Sequence, residues 1–107
     1  MEEIRIKSLD VLNEKQKLLR PASRLYYYYV DHADKLNRVS IKKETLAQAL
    51  NVSPRTVSNW VRALADAGLI KYKYSGSARL NPKNYFIGTA NDYNAALEEY
   101  SRFRSDV

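Results

Sequence analysis

The chain has 107 residues and an apolar fraction of 45%, enough for one domain with a single modest core. It contains no cysteine and one histidine, which excludes a disulfide framework and a thiolate metal site and argues against a histidine-based metal centre. No apolar run of about 18 residues is present and the N-terminus lacks the pattern of a signal peptide, so we predict a cytoplasmic protein without a membrane span.

The net charge of +6 is concentrated in one part of the sequence. Residues 35–83 contain ten Lys or Arg side chains and two acidic ones, whereas residues 1–34 are balanced and residues 84–107 carry a net charge of −2. A basic segment of this density is the electrostatic footprint of a phosphate-binding surface. We therefore expect residues 35–83 to bind nucleic acid.

In chain order, residues 1–19 are predicted to be an N-terminal extension. Ile4-Arg5-Ile6 alternates as in a short edge strand or an extended arm, and the leucines between residues 8 and 19 indicate a short helix or a helical turn. Pro21 then begins a helix that is predicted over about 21–35.

Four consecutive tyrosines, residues 26–29, lie in this helix. Base stacking is one interpretation, but consecutive helical residues point in different directions and form no single stacking surface. We expect two of the rings in the core, with their hydroxyls at its rim, and the others at a subunit interface. His32 is expected to be structural and not a ligand or a pH sensor.

Residues 54–67 are predicted to form a helix with both ends marked. Ser53 stands at the N-cap position, Pro54 at the first helical position, and Gly68 directly after the last periodic residue. A short apolar helix over residues 46–50 and a three-residue turn precede it.

The two faces of helix 54–67 differ in chemistry. Val57, Val61 and Leu64 recur at helical spacing and are expected to face the core. Arginine pairs well with guanine, asparagine with adenine, and short hydroxyls with phosphate or base edges, so the other face suits a DNA major groove. The alternative is a solvated polar face. That face comprises Arg55, Thr56, Ser58, Asn59 and Arg62.

The stretch LAQALNVSPRTVSNWVRALADAGLI resembles the helix-turn-helix of bacterial regulators. It is similar to the winged helix-turn-helix of the GntR type and to the related domain of phage and plasmid replication initiators. The upstream run RPASRLYYYYVDHADK also resembles the first helix of the replication-associated group. The resemblance implies one α+β domain over residues 1–107, a winged helix-turn-helix with its core at 21–88. That fold has a three-helix core, a two-stranded wing (about 69–88), a short third strand and an additional C-terminal helix.

The runs 69–74 and 84–88 are predicted to be the two strands of the wing, because each is rich in β-branched or aromatic residues. In the first run Ile70, Tyr72 and Tyr74 fall on one face. The turn-forming stretch SGSARLNPK, residues 75–83, is expected to be a flexible tip. The resemblance implies that the third strand, residues 39–41, pairs with this hairpin.

Six further cations are predicted to contact DNA. Two lie near the start of the short helix that precedes helix 54–67, and two alternate with the apolar residues of the first wing strand. The last two lie in the predicted tip and would reach a minor groove or a phosphate row, although a solvated loop is the alternative. In that order they are Lys42, Lys43, Lys71, Lys73, Arg79 and Lys83.

Residues 91–104 are predicted to form a last helix, capped by Thr89 or Asn91. The helix is acidic overall, so we expect it to face away from DNA. A homodimer through this helix and the first one is one expectation, because aromatic residues are enriched in interface cores; packing onto the first helix is the alternative. Its apolar stripe comprises Tyr93, Ala96, Leu97, Tyr100 and Phe103.

The leading interpretation is a sequence-specific double-stranded DNA-binding protein acting as a small transcriptional regulator. Arg55, Ser58, Asn59 and Arg62 would read bases, and Thr56 with the lysines would contact phosphates. An origin-binding replication protein of a phage or plasmid is the alternative, and a winged-helix protein-interaction module is a third. The sequence has no evident nucleophile–base set, Gly-rich phosphate loop or metal-ligand cluster. We therefore expect that the protein is not an enzyme and that it binds no cofactor or small-molecule ligand.

Overall fold

The computed structural model describes residues 3–7 and 21–106, so the predicted helical turn at 8–19 lies outside the described residues. Within them the chain is α+β, with four helices and two small sheets, an arrangement compatible with a winged helix-turn-helix. No described helix is long and apolar enough to cross a membrane. The elements are β1 (Glu3–Lys7), α1 (Ser23–His32), β2 (Arg38–Ser40), α2 (Lys43–Leu50), α3 (Pro54–Asp66), β3 (Ile70–Tyr72), β4 (Ser77–Leu80), β5 (Tyr85–Thr89) and α4 (Ala90–Arg102).

Helices α1, α2 and α3 enclose the core through their apolar stripes. Arg24 of α1 links the other two helices: its Nη2 donates a 2.7 Å hydrogen bond to the carbonyl of Leu50, and its guanidinium lies 5.8 Å from the centre of the Trp60 ring. The bond satisfies a free carbonyl at the C-terminal end of α2. The buried side chains of these three helices are Leu25, Tyr26, Tyr29, Leu46, Ala47, Leu50, Val57, Val61 and Leu64.

Two of the four tyrosines are core residues, as the sequence predicts, but their hydroxyls do not reach the rim. The hydroxyls of Tyr26 and Tyr29 are buried, and neither has a hydrogen-bond partner among the described residues. Burial raises the pKa of both phenols above the usual range for tyrosine. Helix α1 also ends at His32, three residues before the predicted end.

Strands β2, β4 and β3 form an antiparallel sheet in that order. Val39 lies opposite Ala78, and Ala78 lies opposite Tyr72. All three are buried, so one face of this sheet closes the helical core. The short strand at 39 and the first wing strand are therefore both present, each paired with β4.

The predicted pairing of residues 69–74 with 84–88 is wrong. Strand β3 pairs with β4, which forms inside the stretch predicted to be a flexible tip, and β5 pairs with β1 in a separate sheet. The stretch 77–80 is a strand because buried Ala78 and Leu80 alternate with partly exposed neighbours. The hairpin thus spans residues 70–80 and not 69–88.

A buried asparagine joins the two sheets. Asn37 is 4% exposed and adopts a left-handed conformation with φ 59°, which asparagine tolerates better than most residues. Its side-chain Nδ2 donates to the carbonyl oxygens of Leu80 (3.3 Å) and Tyr85 (2.7 Å). Its own carbonyl accepts from the N–H of Leu80 at 3.0 Å. The ends of β4 and β5 are held together through this one residue.

Helix α4 begins at Ala90, one residue before the predicted start. Thr89 is its cap, since its Oγ1 accepts a 3.1 Å hydrogen bond from the N–H of Asp92. Near this end the ring of Tyr93 contacts that of Phe86 edge to face, with centroids 5.2 Å apart. The end of the helix and Phe103, the residue that follows it, lie against the outer face of the β3–β4 hairpin and contact three predicted DNA-binding residues.

Candidate nucleic-acid interface

Helix α3 presents a continuous polar stripe to solvent. Arg55, Ser58, Asn59 and Arg62 are all exposed, and their spacing of three, four and seven residues places them on one face. On the opposite face Val57, Val61 and Leu64 are at most 1% exposed. The core therefore fixes which way the stripe points.

Local signals fix both ends of α3. The Oγ of Ser53 accepts a 3.1 Å hydrogen bond from the N–H of Thr56, so the predicted N-cap is confirmed. At the other end Gly68 has φ 77°, and the N–H of Leu69 donates to the carbonyl of Leu64 at 3.1 Å, as in a Schellman motif. The Oγ1 of Thr56 lies 2.9 Å from the Oγ of Ser53, so the hydroxyl predicted to contact phosphate takes part in the cap.

The turn between α2 and α3 holds the stripe close to the start of α2. Asn51 adopts a left-handed conformation with φ 55°, and the N–H of Val52 donates to the carbonyl of Ala47 at 2.9 Å. Lys42, at the N-cap of α2, is exposed and makes no side-chain capping bond. Its charge is therefore displayed beside the free N–H groups of the helix, whose dipole is positive at this end.

A cleft of about 140 Å³ separates the start of α2 from α3 and the hairpin. Basic groups line it from two helices, and the hairpin contributes Tyr74, which is 70% exposed. Adjacent cations with a nearby hydroxyl suit a phosphate oxygen. The lining residues are Lys43, Ser58, Val61, Arg62, Tyr72 and Tyr74.

Three predicted contacts from the hairpin face α4 instead. The Nζ of Lys71 donates to the carbonyl of Tyr100 at 2.7 Å and lies 4.6 Å from the centre of that ring. The Nζ of Lys73 lies 4.8 Å from the centre of the Phe103 ring. The sequence correctly placed both lysines opposite the core, but on that outer face of the sheet they meet the end of α4 and the Phe103 ring that follows it.

Arg79 is the third of these cations. Its Nε donates to Oε1 of Glu99 at 3.0 Å, and its guanidinium lies 4.5 Å from the centre of the Phe103 ring. The side chain is 17% exposed. Placing Arg79 at the tip of a wing is therefore wrong, because it occupies the middle of β4 and faces an acidic residue of α4.

Lys83 is also remote from the hairpin tip. It lies in the turn between β4 and β5, at the opposite end of β4, and its N–H donates to Oδ1 of Asn81 at 3.0 Å. The side chain is exposed and borders a hollow of about 320 Å³ against Leu97 and Tyr100 of α4. The structure does not bring it together with the α3 stripe.

The hairpin tip is a four-residue turn over residues 73–76. The N–H of Gly76 donates to the carbonyl of Lys73 at 2.8 Å, and Gly76 has φ 103°. A Cβ at Gly76 would lie 2.8 Å from the carbonyl oxygen of Ile41, so the turn requires glycine. The tip presents Tyr74, which the alternating pattern had placed with buried Tyr72; the strand ends at Tyr72 and the turn redirects the next ring.

The C-terminal segment after α4 pairs with the free edge of β3. The N–H of Asp106 donates to the carbonyl of Tyr72 at 2.8 Å, and the Oγ of Ser105 accepts from the N–H of Tyr72 at 3.0 Å. The Oδ2 of Asp106 accepts from the N–H of Tyr74 at 3.0 Å. Sequence patterns gave no sign of these contacts, because residues 105–106 carry no strand periodicity.

The searches of curated proteins and of solved structures gave no match. The family model of Firmicute plasmid replication proteins, RepL, matches residues 3–107. This match supports the predicted resemblance to replication initiators, whereas the resemblance to the GntR type stays a prediction. It also favours the alternative function, a replication protein, over the leading interpretation of a transcriptional regulator. Because the match spans almost the whole chain, the protein belongs to the RepL family of Firmicute plasmid replication proteins.

Proposed function

We propose that this protein binds double-stranded DNA at a plasmid replication origin through a winged helix-turn-helix, with α3 as the recognition helix and the β3–β4 hairpin as the wing. Membership of a plasmid replication family implies DNA binding. The observation that carries the assignment is the exposed stripe from Arg55 to Arg62 on a helix whose other face is fixed in the core.

The dimensions of the stripe suit a short site. Arg55 and Arg62 are seven residues apart, which is about 10 Å along a helix axis. That length covers roughly three base pairs of B-DNA. In this proposal Arg55, Ser58, Asn59 and Arg62 contact base edges in the major groove, with asparagine reading adenine and arginine reading guanine.

Phosphate contacts come from the start of α2. Lys42 is exposed there, and Lys43 lines the cleft that Arg62 shares. We assign Lys71, Lys73 and Arg79 to docking of α4, because their charged groups lie against its rings and Glu99. A cation whose charged group is engaged within the protein does not contact a phosphate and releases no counterion from DNA, so these residues would add little to the salt dependence of binding.

A reading length of three base pairs is too short to select one origin by itself. Repeated sites that are bound by several copies would supply the missing specificity. A homodimer through α1 and α4 is one way to couple the copies. Tyr27 of α1, which is 42% exposed, is the residue that we expect in such an interface.

The proposal is tested by selection from a pool of random duplexes, followed by titration of the recovered sequence at several salt concentrations. Asn59→Ala is expected to weaken binding to the recovered site by about 1–3 kcal/mol and to relax the preference at one base pair. Asn94→Ala changes an exposed residue of α4 and is expected to leave affinity unaltered. Recovery of no motif, or equal losses for Asn59→Ala on specific and random DNA, would contradict the assignment of α3.

A further inference from the structure

The hairpin tip displays an aromatic ring beside the candidate DNA surface. Tyr74 is 70% exposed, the more exposed of the two large apolar side chains that lie open to solvent in the described part of the chain. The ring borders the cleft that Lys43, Ser58 and Arg62 also line. A duplex held on the α3 stripe would therefore lie within reach of this ring.

Hydrogen bonds within the hairpin, to the C-terminal segment and to the end of β2 hold the backbone of the tip. The N–H of Tyr74 itself donates to Oδ2 of Asp106, and the N–H of Lys73 donates to the carbonyl of Ser77 at 2.8 Å. The N–H of Ile41 donates to the carbonyl of Gly76 at 3.2 Å, which attaches the turn to the end of β2. A preorganised contact loses little conformational freedom on binding, so the backbone that carries the ring is ready for a ligand.

The neighbours of Tyr74 indicate what kind of ligand fits. Lys43 supplies positive charge for phosphate beside the base-reading Arg62. The charged side chain of the tip, Lys73, lies against the Phe103 ring. Phosphates and an aromatic partner occur together in a nucleotide. An aromatic face gains most from a base whose own face is free, and a closed duplex covers both faces of every internal base.

We propose that Tyr74 stacks on a nucleobase that has been unstacked from the duplex next to the site read by α3. This rests on the proposed function and adds an activity to it, namely preference for locally opened DNA. Stacking on an aromatic side chain strengthens binding roughly tenfold per base. Since a ligand shifts an equilibrium by its differential affinity, the bound protein favours the opened step over the closed one by the same factor.

The test compares two DNAs that share the duplex recovered by selection. One is fully paired, and the other carries a three-nucleotide mismatched bubble beside the site, with 2-aminopurine in the bubble as a fluorescent reporter of stacking. The wild-type protein is expected to bind the bubble about tenfold more tightly. Tyr74→Ala is expected to abolish this preference while it retains affinity for the paired duplex. Tyr74→Phe, the matched control, is expected to keep the preference because it keeps the ring.

Thermal unfolding of the three proteins checks that the substitutions leave the fold intact, and equal Tm values are expected because the side chain is exposed. Equal affinity of the wild type for both DNAs, or a preference that survives in Tyr74→Ala, would overturn the stacking role and leave duplex recognition in place. Binding to the bubble without binding to the paired duplex would instead overturn the proposed function while supporting the stacking role.

Discussion

Replacing Arg79 with alanine separates a structural role from a DNA-binding one. The change removes the 3.0 Å ion pair with Glu99 and the contact with the Phe103 ring, both at a side chain that is 17% exposed. A partly screened charge-assisted hydrogen bond contributes about 1 kcal/mol. A cation–π contact of a partly buried guanidinium contributes a similar amount. The expected loss of stability is about 2 kcal/mol, or roughly 10 °C in Tm for a domain of this size.

The assay is urea unfolding followed by circular dichroism, together with titration of the recovered duplex by the folded fraction. Glu99→Gln removes the same ion pair from the other side, and the double variant closes a mutant cycle whose coupling energy is expected to be about 1 kcal/mol. Arg62→Ala provides the contrast. Its side chain is exposed on α3 and is assigned to a base contact, so this variant is expected to unfold like the wild type, to lose affinity for the recovered duplex and to relax the preference at one base pair.

One result would refute the reasoning. If Arg79→Ala unfolded at the wild-type urea concentration but bound DNA more weakly and with a shallower salt dependence, Arg79 would contact phosphate in the complex. Helix α4 would then have to leave the outer face of the hairpin when DNA binds.

Two further predictions concern stability alone. Asn37→Ala is expected to lower the free energy of unfolding by about 2–4 kcal/mol, because it leaves two backbone carbonyls without their amide donor and places alanine at a positive φ. Asn37→Gly removes the same amide but tolerates the backbone conformation, so it isolates the amide contribution. A wild-type urea midpoint for both variants would contradict the bridging role. Burial acts to raise the pKa of Asp34, but hydrogen bonds from Arg38 and from the N–H of Leu36 outweigh it and lower that pKa below its usual value. The carboxylate therefore stabilises the fold above about pH 4 and this contribution is lost as the pH falls through the lowered pKa. Asp34→Asn is expected to be less stable than the wild type at pH 7 and to converge with it in acid; a stability difference that does not change with pH would contradict the assignment.

The elements that the sequence predicted well are those with local causes. Ser53, Pro54 and Gly68 define the ends of α3 through contacts within a few residues, and the spacing of Val57, Val61 and Leu64 defines its buried face. These signals act within one or two helical turns. They can therefore be recognised in the sequence, and the position of the exposed stripe on α3 can be predicted from them.

The strand pairing had no such local cause. The stretch 75–83 contains glycine, serine and proline, which indicate a loop, and the short alternation around Ala78 and Leu80 is easily overlooked. The partner of β5 lies about 80 residues earlier in the chain, in β1. Whether β5 pairs with β1 or with the first hairpin strand, β3, depends on tertiary packing.

The predicted site was altered by the same kind of non-local contact. Lys71, Lys73 and Arg79 resemble any other basic residues of an amphipathic strand until α4 is placed against them. The sequence placed Tyr74 on the same face as Tyr72 because period two was extended beyond the end of β3. The strand ends at Tyr72, and the turn over residues 73–76 interrupts the alternation.

The pairing of β1 with β5 has a consequence for the order in which the protein folds. Helices α2 and α3 are adjacent in sequence, and their contacts close short loops, so they can form early. The β1–β5 ladder joins residues 3–7 to residues 85–89 and closes a very long loop, so it is expected to form late. During synthesis β1 leaves the ribosome before β5, so its edge stays unpaired in the interval. Its exposed positions are all charged, Glu3, Arg5 and Lys7, and this alternation discourages pairing with other chains in the interval.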